Sequence, residues 1–183
     1  MKNILTVLCF IFTFSLGYAQ EVSEDTLQTA RNSLYVELGG NGGLYTINYD
    51  RILHRGEWFH TSARAGVYYN WWGGGRLGIP LEVNGLFGRK EHFLEMGVSF
   101  VYSHGFEPVV HKADPAVPSS EDIYHNFADL RAIGRLGYRY QKPEGGLFFR
   151  AAYTPNTFVW SATPGGLFSG AWHWFGISVG KSF

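Results

Sequence analysis

The sequence predicts an all-β chain that closes into an up-and-down antiparallel barrel of about eight strands. Three observations predict it. Aromatic residues make up 17% of the 183 residues and glycine supplies 24 of them, a composition of strands and tight turns rather than helices. From Ser33 onward apolar and polar residues alternate with a period of two, which is the side-chain period of a strand with two unlike faces. Turn residues interrupt that alternation at regular intervals.

The elements follow in order. Residues 1–19 are expected to be a cleaved signal peptide: Lys2 is positive, Ile4 to Leu16 is apolar, and Gly17 and Ala19 are small before a cut at Gln20. Cys9, the single cysteine, lies inside the apolar run. Leu8 before it is not the small residue that a lipoprotein acceptor needs, and the mature chain is left without a thiol. Residues 20–32, polar and acidic, read as a short mobile lead-in. Residues 33–183 are the expected barrel domain.

The first strand runs from about Ser33 to Gly40, with Leu34, Val36 and Leu38 on one face. The second covers Leu44 to Ile52, with Tyr45, Ile47 and Tyr49 opposed to Thr46 and Asn48. The third, Glu57 to Tyr69, sets Phe59, Ala63, Ala65 and Val67 against His60, Ser62 and Arg64. The fourth, Leu77 to Phe87, opposes Ile79, Leu81 and Val83 to Glu82 and Asn84. The fifth, His92 to Tyr102, opposes Leu94, Met96, Val98 and Phe100 to Glu95 and Ser99. The sixth, Phe127 to Tyr140, opposes Leu136, Tyr138 and Tyr140 to Arg131, Arg135 and Arg139. The seventh begins near Gly146, with Leu147, Phe149 and Ala151 opposite Arg150 and Thr154. The eighth ends the chain, with Phe175, Ile177, Val179 and Phe183 opposite Gly176, Ser178 and Gly180.

Connections of two kinds alternate along the chain. "HRGE", "GRKE" and "QKPEGG" are short and polar. The other set holds "GGNGG", "WWGGG" and two long loops, Ser103 to Asn126 and Pro155 to Ala171. Short turns at one rim and variable loops at the other are the pattern of a barrel that crosses an outer membrane. The glycines of "GGNGG" invite a phosphate-loop reading, but that needs a helix to follow. "LYTINYDR" alternates as a strand instead. The cluster is therefore expected to be a hairpin tip at the cell-surface rim, where the glycines and Asn41 accept positive φ.

The alternation fixes two faces but not which is inside. The polar face carries Glu37, Arg64, Glu82, Glu95, Arg131, Arg135, Arg139 and Arg150 among small residues, with little lysine. Arginine suits a confined ion-pair network, because its fork grips carboxylates in two places. Aromatics gather at strand ends. Tyr49, Trp58, Phe59, Phe87, Phe93, Tyr138, Tyr140, Phe148 and Phe149 fall near the short-turn rim. Tyr45, Tyr68, Tyr69, Trp71, Trp72 and Tyr102 fall near the other. Two aromatic belts around an aliphatic band mark two membrane–water interfaces, with Tyr45, Tyr49, Trp58, Phe59, Tyr69, Trp71, Tyr102, Tyr138, Tyr140 and Phe183 as the expected interface set. The polar face then points inward. A mid-membrane layer of Glu37, Glu82, Arg64 and Arg135 and a second layer of Glu95 with Arg150 are expected, Arg131 and Arg139 extending towards opposite rims. That tally leaves five arginines against three glutamates. A secreted lipocalin-like barrel is the alternative, with the faces reversed.

The signal peptide, the alternating strands and the last strand "HWFGISVGKSF" ending in Phe183 resemble the small outer-membrane β-barrel proteins of Gram-negative bacteria. The resemblance implies outer-membrane lipid as surroundings and recognition of the terminal aromatic by the barrel-assembly machinery. It says little about activity, since one fold serves many functions.

Function classes narrow further. Fifteen basic residues balance fifteen acidic ones, which argues against a nucleic-acid partner. "GISVG" matches a hydrolase elbow, yet that motif needs a strand, a turn and a helix, and only three residues follow Gly180. His104, His111 and His125 share a loop with Glu107, Asp114, Glu121 and Asp122, without metal-ligand spacing. Ser103 and His104 are adjacent on a strand and so point to opposite faces. No catalytic residue, cofactor or metal is expected. The expected role is structural or interactive through the extracellular loops, which offer a site for a protein partner. A narrow channel or a lipid-modifying outer-membrane enzyme is the alternative.

Overall fold

The computed structural model describes residues 30–71, 75–105, 128–161 and 172–183. The signal peptide, most of the lead-in, Trp72 with the two glycines after it, and residues 106–127 and 162–171 of the long loops lie outside the described residues. Eight strands follow in chain order: β1 Asn32–Gly39, β2 Tyr45–Arg55, β3 Phe59–Asn70, β4 Arg76–Arg89, β5 His92–Gly105, β6 Ala128–Gln141, β7 Gly146–Ser161 and β8 Trp172–Ser182. Each pairs antiparallel with its neighbour, and β8 returns to β1 to close the barrel. Closure leaves no full-length edge strand, so nearly every backbone polar group is satisfied within the wall. No helix among the described residues is long and apolar enough to cross a membrane.

The two faces are inverted relative to a soluble barrel. Leu34, Val36, Leu38, Leu81, Val83, Val98, Ile177 and Val179 are exposed on the outside. Glu37, Asp50, Glu95, Arg139 and Arg150 have no exposed surface. Cross-strand register carries the alternation around the wall: Arg64 faces Glu82, Glu82 faces Ser99, and Ala65 faces Leu81 on the opposite surface.

Two apolar layers bracket the charged interior. Ile52, Leu86 and Phe93 cluster in the short-turn half. Tyr68, Val101 and Ile133 cluster in the long-loop half. This corrects the belt assignment of Phe93, Phe148 and Tyr68. All three are at most 6% exposed and belong to the lumen, because register, not proximity to a strand end, sets the face. Tyr68 needs space there, and Gly78 provides it: a Cβ on Gly78 would lie 2.1 Å from the Tyr68 ring.

The lead-in is not mobile at its end. Ala30 donates to the Pro143 carbonyl at 2.5 Å and accepts from Arg55 at 2.9 Å and from Gln141 at 3.2 Å, while Ile52 donates to the Arg31 carbonyl at 2.8 Å. The strap crosses the short-turn mouth. β7 runs through Pro155 to Ser161, continuing the seventh strand into the segment that the sequence also allows as a strand extension. Pro155 lacks an N–H, and β6 and β7 form no partner pairs between Ile133–Asn156 and Leu136–Tyr153, although the register is kept there and shifts only between Leu130 and Arg131.

Candidate functional site

Among the described residues the lumen concentrates ionisable groups, and its network is built from eight residues on seven strands, β6 supplying both Arg135 and Arg139. Glu37 is its hub. Its Oε2 meets Arg64 Nη2 at 2.6 Å, and its Oε1 meets Arg135 Nη1 at 2.9 Å and Arg150 Nη2 at 3.2 Å. Glu82 takes the other side of the same arginines, 2.9 Å from Arg135, 3.4 Å from Arg64 and 3.7 Å from Arg150. Glu95 lies 3.1 Å from Arg150. The two expected layers are therefore one network, joined by Arg150, whose guanidinium touches all three glutamates.

A second pair lies towards the short turns. Arg139 Nη2 donates to Asp50 Oδ1 at 2.6 Å, and to the side-chain oxygen of Gln141 at the same distance. Ser62 donates to the other oxygen of Asp50 at 3.0 Å. Asp50 corrects the charge tally. The mid-lumen set is Glu37, Asp50, Glu82 and Glu95 against Arg64, Arg135, Arg139 and Arg150, four against four, while Asp129, also buried, stands apart towards the long-loop rim. Neutrality matters because a lone charge in a confined, poorly hydrated space is costly, whereas a paired and hydrogen-bonded one is tolerated. Period-two alternation already puts Asp50 on the face of Thr46 and Asn48, so the sequence did carry this signal.

Arg131 sits apart, at the long-loop rim. It donates to the Tyr68 hydroxyl at 2.8 Å and stands 3.5 Å from Asp129. Asp129 also binds Arg76 at 2.8 Å and accepts from Ser103 at 2.6 Å. Neither Asp129 nor Arg76 was singled out from sequence.

Aromatic rings link the two charged groups. Arg139 lies 5.0 Å above the Phe148 ring, Phe148 stacks on Tyr35 at 4.5 Å, and Arg150 lies 4.8 Å from Tyr35 on the ring's face. The guanidinium planes are thus held by ring faces as well as by carboxylates. Tyr35 has room because its neighbour on β8 is Gly180, where a Cβ would fall 2.4 Å from the Tyr35 Cβ.

The first hairpin is the largest departure from expectation. β1 has only eight residues, and the connection to β2 is a turn of 3-10 helix, Gly40–Gly42, whose residues are all buried. Asn41 turns into the lumen. Its amide donates to Glu82 Oε2 at 2.7 Å and to Ser99 at 2.9 Å, and its oxygen accepts from Arg135 at 3.1 Å. "GGNGG" is therefore a lid on the charge network instead of a surface tip. Positive φ falls on Gly39, Gly40 and Gly43, and not on Asn41. Gly40 is required twice over, since a Cβ there would also lie 2.7 Å from the Glu37 carboxyl carbon.

The expected interface aromatics lie on the outer wall. Tyr49, Trp58, Tyr69, Trp71, Tyr102, Tyr138 and Phe183 are exposed, and Tyr45, Phe59 and Tyr140 are half-buried. Tyr45 donates to the Tyr69 carbonyl at 2.8 Å, and Phe59 and Phe87 pack at 4.9 Å. Ser178 of "GISVG" is fully buried, with its hydroxyl 3.4 Å from Arg150 and 3.5 Å from Glu37. Ser103 is buried against Asp129. His111, His125 and the loop acids lie outside the described residues.

No protein-family model and no curated protein sequence matches the chain. A solved structure is similar: the N-terminal β-barrel domain of Pseudomonas aeruginosa OprF. The match has a TM-score of 0.52 at 10% identity, over 85% of this chain and 98% of that one. The chain has the same fold. Near-complete coverage of the OprF domain means that the likeness extends around the whole barrel and not to a few hairpins.

Proposed function

We propose that the chain is an outer-membrane β-barrel with a closed lumen, acting as a structural or interaction protein through its outer loops. Inversion supports the membrane reading: the outside is aliphatic with aromatics near both rims, and the charge is inside. The likeness to a barrel domain of OprF is consistent with it. Export through a signal peptide, insertion by the barrel-assembly machinery and surroundings of outer-membrane lipid belong to the same proposal.

The observation that carries the closed lumen is the neutral cluster of four carboxylates and four guanidiniums, every side chain of its ion pairs at zero exposure. A barrel of eight strands is just wide enough to be filled by side chains. This one adds the Asn41 lid above the cluster and apolar layers on both sides. With the interior closed, the loops that join β5 to β6 and β7 to β8 are where a protein partner would bind.

Planar-bilayer recording tests the closed lumen directly. Purified barrel is expected to add no stable conductance to the membrane. A steady, voltage-independent conductance would overturn it.

A further inference from the structure

Two cations break the apolar outer wall. Arg51 on β2 and Lys181 on β8 are both exposed, among the exposed Tyr49, Leu53, Val179 and Phe183. β1 runs between their strands. Lys181 pairs in register with Leu34, and Arg51 pairs with Asn32. They therefore stand astride β1, one outward position out of step. Strand spacing and rise put their Cα atoms about 12 Å apart, so two long side chains can meet over β1. Beneath that point Tyr49 donates to the Asn32 side-chain oxygen at 2.7 Å, a polar pair set into an apolar wall.

The buried arginines of the lumen all have carboxylate partners. Arg51 and Lys181 have none among the described residues. Lys181 lies in the last turn-ward residues of β8, and Arg31 and Arg55 stand at the same rim, Arg55 tied to the strap. Cations on a lipid-facing wall are costly in hydrocarbon, nearly free at headgroup level and favourable beside phosphate.

We propose that Arg51 and Lys181 form a two-cation clamp for the phosphate of an anionic phospholipid at the short-turn interface. The guanidinium grips two phosphate oxygens, the ammonium neutralises the remaining charge, and the acyl chains lie along Leu34 and Val179. The clamp rests on the membrane-spanning reading proposed above.

Native mass spectrometry tests it. The barrel is inserted into nanodiscs of phosphatidylcholine with a minor fraction of phosphatidylglycerol, then released in mild detergent and weighed. Wild type is expected to retain one phosphatidylglycerol, with a preference that falls about thirtyfold in R51Q/K181Q, each cation contributing about equally. A control pair in the β4–β5 turn, R89Q/K90Q, is expected to keep the lipid. Equal loss in the control would replace the clamp with a diffuse basic rim. Displacement of the lipid by millimolar inorganic phosphate would show a free-anion site and overturn the headgroup assignment. A barrel that inserts and resists heat, yet holds both lipids equally, sinks the clamp and leaves the membrane reading standing. Failure of wild type to insert would sink the membrane reading itself.

Discussion

At the scale of single residues, Glu37 and Glu95 are chemically identical and differently placed. Glu37 meets three guanidiniums within 3.2 Å, whereas Glu95 meets one within that distance. Removing one partner of a buried pair leaves uncompensated charge, typically ~3–5 kcal/mol. Glu37→Gln is therefore expected to lower barrel stability by about that amount, and Glu95→Gln by less than half as much. Denaturant titration followed by heat-modifiable gel mobility measures both, and equal losses would argue against Glu37 as hub. The Asp50–Arg139 pair supplies a second case. Each of Asp50→Asn and Arg139→Gln strands the other charge, so the double variant is expected to be more stable than the sum of single losses predicts, by roughly 1–3 kcal/mol. A cycle with no coupling energy would mean that Gln141 and Ser62, rather than each other, hold these side chains.

Among the elements, the β1–β2 hairpin departs furthest from an ordinary surface turn. Its eight-residue first strand stops at mid-barrel height, which is why the turn can fold inward. Gly40→Ala faces both a φ of +62° and the Glu37 carboxylate 2.7 Å away, and Gly43→Ala faces a φ of +77° with open space around it. Both should strain the turn, by ~1 kcal/mol from φ alone. Gly40→Ala is expected to lose a further ~1–3 kcal/mol by disturbing a buried ion-pair network, seen as a lower unfolding midpoint. Midpoints that coincide would show that the turn does not press on Glu37. Asn41→Ala removes one hydrogen bond from each of Glu82, Ser99 and Arg135, at an expected cost of ~1–3 kcal/mol. Asn41 was the residue whose sequence context misled: a polar residue between glycines normally marks a solvent-exposed tip. Its inward turn depends on two acceptors and a donor that arrive from β4, β5 and β6, far away in sequence.

For the whole molecule, the pattern of faces was legible from the start. Alternation of Leu34, Val36 and Leu38 with Tyr35 and Glu37 assigns sides without any knowledge of neighbours, because the strand period is two. Short turns and long loops then order the strands up and down, and the arginine-rich, lysine-poor polar face indicates which side is enclosed. Strand ends moved by a few residues, and β7 ran through Pro155, because pairing with β8 as far as Asn156 and with β6 as far as Ser161 sustains a strand that local propensity would end. The same alternation put Asp50 on the inner face, where it went unread. What the chain's order could not supply is the choice of partner inside the lumen. Arg150 touches Glu37, Glu82 and Glu95, residues from three strands whose separation across the barrel depends on closure and register. A linear pattern with period two states that a side chain points inward; the depth and neighbour it finds there follow from how eight strands are staggered around a closed wall. That is also why Asn41 became a lid: its partners exist at one place only after the barrel has closed.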